Sequence, residues 1–254
     1  MNRSVMFAMM TMLSVAAGCS ASSPTESVGA SSDPVIGGVD ATEAYSFIVS
    51  LKTSDGGHYC GGSLVAPQWI VTAQHCIEGS RLVAARIGSN NKDEGGELID
   101  IEKTYGFRSS GYVLGGDDIA LVKLKSPAQA TPIKIAESAP AAATDARLLG
   151  WGDTSWPPET DPVILQQIDL QVLANSRCPN SRNAAKGVCI SGSPTQAICH
   201  GDSGGPALVK SNDAWILVGA TSGVGNTSEP HCGGTTAYSG TAQHLSWIRQ
   251  HIDS

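Results

Sequence analysis

Three short stretches of this 254-residue chain carry residue types that could do chemistry together. Cys199-His200-Gly201-Asp202-Ser203-Gly204-Gly205-Pro206 sets a serine among glycines, beside an acid. Small residues on both sides of Ser203 let a substrate backbone come close, and glycines permit a tight turn that gathers backbone N–H groups in one small space. That combination can build a serine nucleophile and an oxyanion hole in one segment. Alone it also reads as a Gly-rich surface turn. Thr72-Ala73-Gln74-His75-Cys76 and Asp117-Asp118-Ile119-Ala120-Leu121 supply the histidine and the acid that such a serine needs.

Two arrangements of serine chemistry share Gly-x-Ser-x-Gly. The nucleophile elbow of the α/β-hydrolases places acid and histidine after the serine, and too little chain follows Ser203 for that. The order His75, Asp118, Ser203 is the other. With those three segments the chain resembles the chymotrypsin/trypsin family of serine endopeptidases from Val35 to its C-terminus. The resemblance implies an all-β fold of two antiparallel six-stranded Greek-key β-barrels with a C-terminal helix. Barrel one would span about 35–140 with His75 and Asp118, barrel two about 141–241 with Ser203, and the helix about 242–252. It implies His75, Asp118 and Ser203 as the catalytic triad, the N–H groups of Gly201 and Ser203 as the oxyanion hole, and Ser222 as a support for Asp118. His58, His200, His231, His244 and His251 receive no catalytic role. Asp117 stands where the family more usually has Asn, Gln74 where Ala is usual, and Gly223 where Trp is usual.

The same resemblance implies the bridges Cys60–Cys76, Cys178–Cys189 and Cys199–Cys232, and hence an oxidising compartment. Val35-Ile36-Gly37-Gly38 resembles the mature N-terminus of the family, so cleavage after Pro34 would free the Val35 amine to pair with Asp202 in a zymogen-type activation. In the uncut chain the resemblance has His58 and Ser50 hold Asp202. The specificity pocket would have Ala197 at its base, with Ile198 beside it, and Val224 and Thr236 on its walls. An uncharged base with Val and Thr walls resembles the elastase branch, so cleavage is expected after small aliphatic residues. The loop from Gly88 to Glu97 has Ser89 where the calcium-binding members carry an acid, and neither metal nor cofactor is expected.

The elements that must position these residues read as short apolar runs between turns rich in Gly, Pro, Asn and Asp. Phe47 to Leu51, Trp69 to Val71, Leu82 to Ile87, Ile119 to Leu124, Ala146 to Gly150, Gln167 to Leu173 and Trp215 to Ala220 read as strands. Only Ala242 to Ile252 has helical spacing, with Leu245, Ile248 and Ile252 on one face. A charged fraction of 15% and 29 glycines fit a loop-rich β protein rather than a helical one. The net charge of −7 without a basic stripe argues against a nucleic-acid partner. Protein or peptide substrates and a monomeric state are expected.

Residues 1–18 carry Arg3, the apolar run Val5 to Val15 and then small residues, the layout of an export signal. Ala16-Ala17-Gly18-Cys19 resembles the lipobox of bacterial lipoproteins, in which the cysteine receives lipid. Ordinary signal cleavage beside an incidental cysteine is the alternative. Cys19 is also the one cysteine left over from the three expected bridges. Residues 19–34, rich in Ser, Ala and Pro, cannot build a core and read as a tether or propeptide. Export, with secretion or a lipid anchor at the surface of a bacterial cell, is the expected location. Two functions from different classes stand at this point: an active endopeptidase, and a binding protein of protease fold that has lost its chemistry. The complete triad discriminates in favour of the first, with ester hydrolysis as a side activity of the same parts.

Overall fold

The structure, a computed structural model, describes residues 35–79, 82–108, 114–155, 159–226 and 232–253. The expected signal, Cys19 and the tether lie outside those residues, as does His231.

Fourteen strands follow one another among the described residues. They are β1 (Val39–Asp40), β2 (Ile48–Thr53), β3 (His58–Ala66), β4 (Trp69–Thr72), β5 (Leu82–Ile87), β6 (Glu97–Gly106) and β7 (Ala120–Leu124), then β8 (Lys134–Ile135), β9 (Asp145–Gly150), β10 (Gln166–Leu173), β11 (Gly187–Ile190), β12 (Pro206–Ser211), β13 (Ala214–Asn226) and β14 (Thr235–Gly240). A single turn of helix, α1 (Gln74–Ile77), sits between β4 and β5, and α2 (Leu245–Ile252) ends the fold after a 3₁₀ turn at Ala242–His244. β2-β3-β4-β7-β6-β5 close into the first barrel. β10-β11-β14-β13-β12-β9 form the second, closed by pairing of β9 with β10. This is the expected fold of two six-stranded antiparallel barrels and a C-terminal helix.

Burial explains which runs form strands. Val49, Leu51, Leu64, Ile70, Ile87 and Leu121 are closed off inside the first barrel, and Leu148, Val188, Ile190, Ala207 and Tyr238 inside the second. The apolar runs named above coincide with β2, β4, β5, β7, β9, β10 and the first half of β13 to within two residues at most shared ends, though β13 continues to Asn226. β3 carries Cys60-Gly61-Gly62-Ser63 and β6 alternates charge with Leu and Ile, so neither offers an apolar run. Two short strands cross the expected barrel boundary. β1 pairs with β10, and β8 pairs parallel with β13, so residues 39–40 and 134–135 join the sheet of the second barrel.

Candidate active site

His75 reaches its position through α1, which starts directly after β4 and is tied to β3 by the Cys60–Cys76 disulfide. The carboxylate of Asp118 is buried and receives three donors. The His75 backbone N–H lies 2.9 Å from Oδ1, His75 Nδ1 lies 2.7 Å from Oδ2, and Ser222 Oγ lies 2.6 Å from Oδ2. An ionised carboxylate only accepts, so Nδ1 carries the proton and Nε2 presents its lone pair. That is the tautomer a general base requires. Ser222 Oγ in turn accepts from the Gly115 N–H at 2.8 Å, and Asp118 N–H closes a turn onto the Gly115 carbonyl. The acid is thus held by both barrels.

Ser203 sits on a turn whose every neighbour is fixed by the backbone. Asp202 O accepts from Gly205 N, Gly204 N donates to Thr221 O, and Thr221 N returns to Gly205 O. The Ser203 carbonyl accepts from Gly61 N of β3 at 2.8 Å, the residue next to the Cys60–Cys76 bridge that anchors His75. Close approach depends on two glycines. A Cβ on Gly204, at φ +75°, would overlap Thr72 Oγ1, and one on Gly61 would come within 2.8 Å of Gly205 Cα. Thr72 and Ala73 precede α1, so this contact brings the serine turn onto the histidine segment.

The planarity of the peptide orients the N–H groups of Gly201 and Ser203. The His200 carbonyl accepts from Asp153 N at 2.7 Å, so the trans N–H of Gly201 points the other way. The Asp202 carbonyl accepts from Gly205 N at 2.9 Å, which does the same for Ser203 N–H. Gly201 has φ +94°, a conformation that favours glycine.

Asp202 lies entirely within the protein. Its Oδ1 accepts from Gly152 N and its Oδ2 from Cys199 N, each at 2.8 Å. Burial pushes the carboxyl up to about 7 against the effect of these two donors. His58 does not hold Asp202, contrary to the expectation. Its Nε2 donates to the Gly201 carbonyl at 3.0 Å and its Nδ1 accepts from Ser50 Oγ at 2.8 Å. Burial lowers the His58 ring to about 4, so it is neutral there and brings no charge to the acid. Val35 is buried within the second barrel's cluster, and the Ile36 carbonyl accepts from Ala197 N at 3.1 Å.

Of the expected pocket residues, Val224 and Thr236 are cross-strand neighbours. Val224 of β13 stands directly across from Thr236 of β14, and Thr236 across from Ile190 of β11. Ala197, Ile198 and Thr236 are buried, and Val224 is partly so. The bridges Cys178–Cys189 and Cys199–Cys232 flank this region. Among the described residues two groupings, Cys60–His75–Cys76 and Cys199–His200–Cys232, have the composition of metal sites. Their sulfurs are committed to disulfides and are not thiolate ligands. Ser89 Oγ is spent on the Glu94 carbonyl.

Motif reading did not find Gly61 and Asp153, which lock the serine turn and its N–H groups through backbone contacts distant in sequence. No local signal marks them, because each acts through a main-chain group or a methyl-sized space.

Two β-barrels that bring a histidine, an acid and a Gly-flanked serine together define the class of a two-barrel serine endopeptidase. The family profile described as Trypsin matches residues 35–248. The snake venom serine protease pallabin of Gloydius halys is 30% identical over 241 positions, covering 87% of this chain and 88% of the venom protein. Hypodermin-A of Hypoderma lineatum is 33% identical over 201 positions, covering 74% of this chain and 76% of its own. The chain belongs to the trypsin family and is a serine endopeptidase. The three disulfides among the described residues fit an extracellular protein.

Proposed function

We propose that His75, Asp118 and Ser203 carry out peptide hydrolysis through an acyl-enzyme, with preference for a small aliphatic residue before the scissile bond. The observation that carries the reading is the Asp118 carboxylate, which accepts from the His75 backbone N–H, from His75 Nδ1 and from Ser222 Oγ. Ser203 Oγ attacks the substrate carbonyl as His75 Nε2 takes its proton. The carbonyl oxygen gains the electron pair and is met by Gly201 and Ser203 N–H. Collapse breaks the C–N bond, and the proton on His75 goes to the leaving amine. Water then repeats the sequence on the ester. Losing one oxyanion donor typically costs about 2.7–4 kcal/mol of transition-state stabilisation.

Selectivity follows from Ala197, Ile198, Val224 and Thr236. No carboxylate at the base meets a Lys or Arg side chain, and burying that cation unpaired is costly. Val and Thr side chains opposite each other narrow the space an aromatic ring needs. Peptide anilides ending in Ala, Val, Leu, Phe and Arg test this. The best kcat/KM is expected for Ala or Val, and a best substrate ending in Arg or Phe overturns the pocket assignment. Ser203→Ala and His75→Ala are each expected to abolish nearly all activity and labelling by an organophosphonate. A catalytically silent binding protein would show neither activity nor labelling in the parent.

Activation would follow cleavage before Val35, whose new amine supplies the cation that buried Asp202 lacks. N-terminal sequencing of active material tests this; full activity in a chain beginning at Cys19 refutes it. Residues 1–18 would direct export from a bacterial cell and Cys19 would take lipid. Two or more acyl chains anchor stably where one is marginal. The same cleavage would release residues 35–254 from that anchor. Mass spectrometry of the membrane form tests it, and an unmodified Cys19 thiol speaks against it.

A further inference from the structure

Asp117, directly before the acid of the triad, sits in a cage drawn from three parts of the fold. Its Oδ2 accepts from Asn183 Nδ2 at 2.7 Å and its Oδ1 from Lys186 Nζ at 3.1 Å, both on the segment leading into β11. Arg108, beyond the end of β6, brings Nη1 to 3.9 Å. His244, from the 3₁₀ turn before α2, brings Nε2 to 3.5 Å. Phe107 fills the space between them, with Lys186 Nζ 4.8 Å over its ring and the His244 ring edge-on at 4.6 Å. Among the described residues, Arg108, Lys186 and His244 are the charged or titratable groups facing Asp117, and His75 is the one facing Asp118.

His244 does not neutralise Asp117. Its Nδ1 donates to the Gly240 carbonyl at 2.7 Å, and burial lowers its basicity. Its Nε2, 3.5 Å from Asp117 Oδ1, favours the ionised carboxylate, but a ring of lowered basicity does not bring a full positive charge. Burial also pushes the Asp117 carboxyl up, but Asn183 and Lys186 outweigh that and hold it below the ordinary range, so it is ionised. Two neighbouring acids, Asp117 and Asp118, thus carry two negative charges under one imidazole. Lys186, with Arg108 farther off, supplies the balancing positive charge.

The cage also joins the two barrels beneath the triad. Gly116 N donates to Arg182 O and Arg182 N to Leu114 O, so the turn that carries both acids is bridged to the 181–183 segment of the second barrel. We propose that Asp117 and Lys186 are a positioning pair for the Asp118–His75 couple, pinning the acid's turn to the second barrel and cancelling the second negative charge beside the general base. This rests on the triad assignment above.

Adjacent Cα atoms are 3.8 Å apart, so the two carboxylates lie within about 11 Å of each other, and His75 Nδ1, 2.7 Å from Asp118, lies within about 14 Å of Asp117. At that range, with an effective dielectric of about 20–40, one uncompensated charge moves a titration by roughly half to one pH unit. The experiment compares the activated parent with Lys186→Gln, Asp117→Asn, the double variant and Lys186→Arg. It reads the acid limb of kcat/KM and, by NMR, the titration of the His75 ring, identified by its loss in His75→Ala. Lys186→Gln leaves Asp117 only the more distant Arg108 and is expected to move both midpoints up, by at most roughly half to one unit. Asp117→Asn keeps an acceptor for Asn183, strands Lys186 and moves them down. The double variant and Lys186→Arg return to the parent. Unmoved midpoints, or shifts of one sign in both single variants, overturn the proposal even if the variants melt earlier, since loss of packing alone does not move a titration in opposite directions. An inactive parent would sink the triad assignment separately, and the ring titration would still judge the pair.

Discussion

Asp202 offers a direct measurement of what the uncut chain lacks. Its carboxyl is fully buried, accepts two backbone N–H groups and is raised from 3.8 to about 7. Between about pH 4 and pH 7 the unfolded chain has released this proton while the folded chain keeps it. Folded protein then binds more protons than unfolded, so stability falls as pH rises through that window and the loss is complete above it. Three pH units at 1.36 kcal/mol each set the size at roughly 4 kcal/mol. Asp202→Asn abolishes the titration. It also turns an amide NH₂ toward Gly152 N or Cys199 N, a penalty of about 1–3 kcal/mol that does not depend on pH. The slope therefore carries the information and the absolute stability does not. Urea unfolding from pH 4.5 to 8, with disulfides intact and Ser203→Ala throughout to prevent self-cleavage, should show the uncut parent losing roughly 3–4 kcal/mol relative to Asp202→Asn. A chain beginning at Val35 should show no such relative loss, because its terminal amine pairs the carboxylate. Parallel curves for parent and Asp202→Asn in the uncut chain would refute the reasoning.

Ser222→Ala removes a 2.6 Å hydrogen bond to the buried Asp118 carboxylate, and hydrogen bonds to charged groups contribute about 1.5–3 kcal/mol, so kcat/KM is expected to fall about ten- to hundredfold; unchanged kinetics would remove Ser222 from the site. Val224→Gly together with Thr236→Gly, which stand opposite each other, should raise kcat/KM for Phe relative to Val anilides, and an unaltered ratio would place the pocket elsewhere. Gly204→Ala forces a side chain onto Thr72 Oγ1 at φ +75°, and should lower Tm and nearly abolish activity; parent-like kinetics would show that the serine turn does not depend on this contact.

The parts legible in the sequence are those whose chemistry is local. His75, Asp118 and Ser203 announce themselves because each needs particular neighbours within a few residues. The strands with continuous apolar runs, such as Ile70 in β4 and Leu121 in β7, follow from burial alone. β3 and β6 escape because their structure rests on partners: Gly61 and Gly62 are selected by the atoms that crowd them, and β6 exposes Leu98 along with Asp100 and Glu102 on alternate residues. β1 and β8 leave the barrel they adjoin in sequence, since pairing with β10 and β13 is decided by where the second barrel's edges lie.

The site divides along the same line, and His58 shows why. Residue types alone allow a buried histidine to meet a buried acid. In this structure Asp202 accepts from Gly152 and Cys199, and the His58 ring bonds Ser50 and the Gly201 carbonyl instead. Gly201 is one of the two residues whose N–H would meet the developing oxyanion. His58 therefore braces that residue from behind, as Asp153 does through the His200 carbonyl. A histidine read as a guard of the uncut acid is, in this structure, a support for the group that the acid's turn presents to substrate.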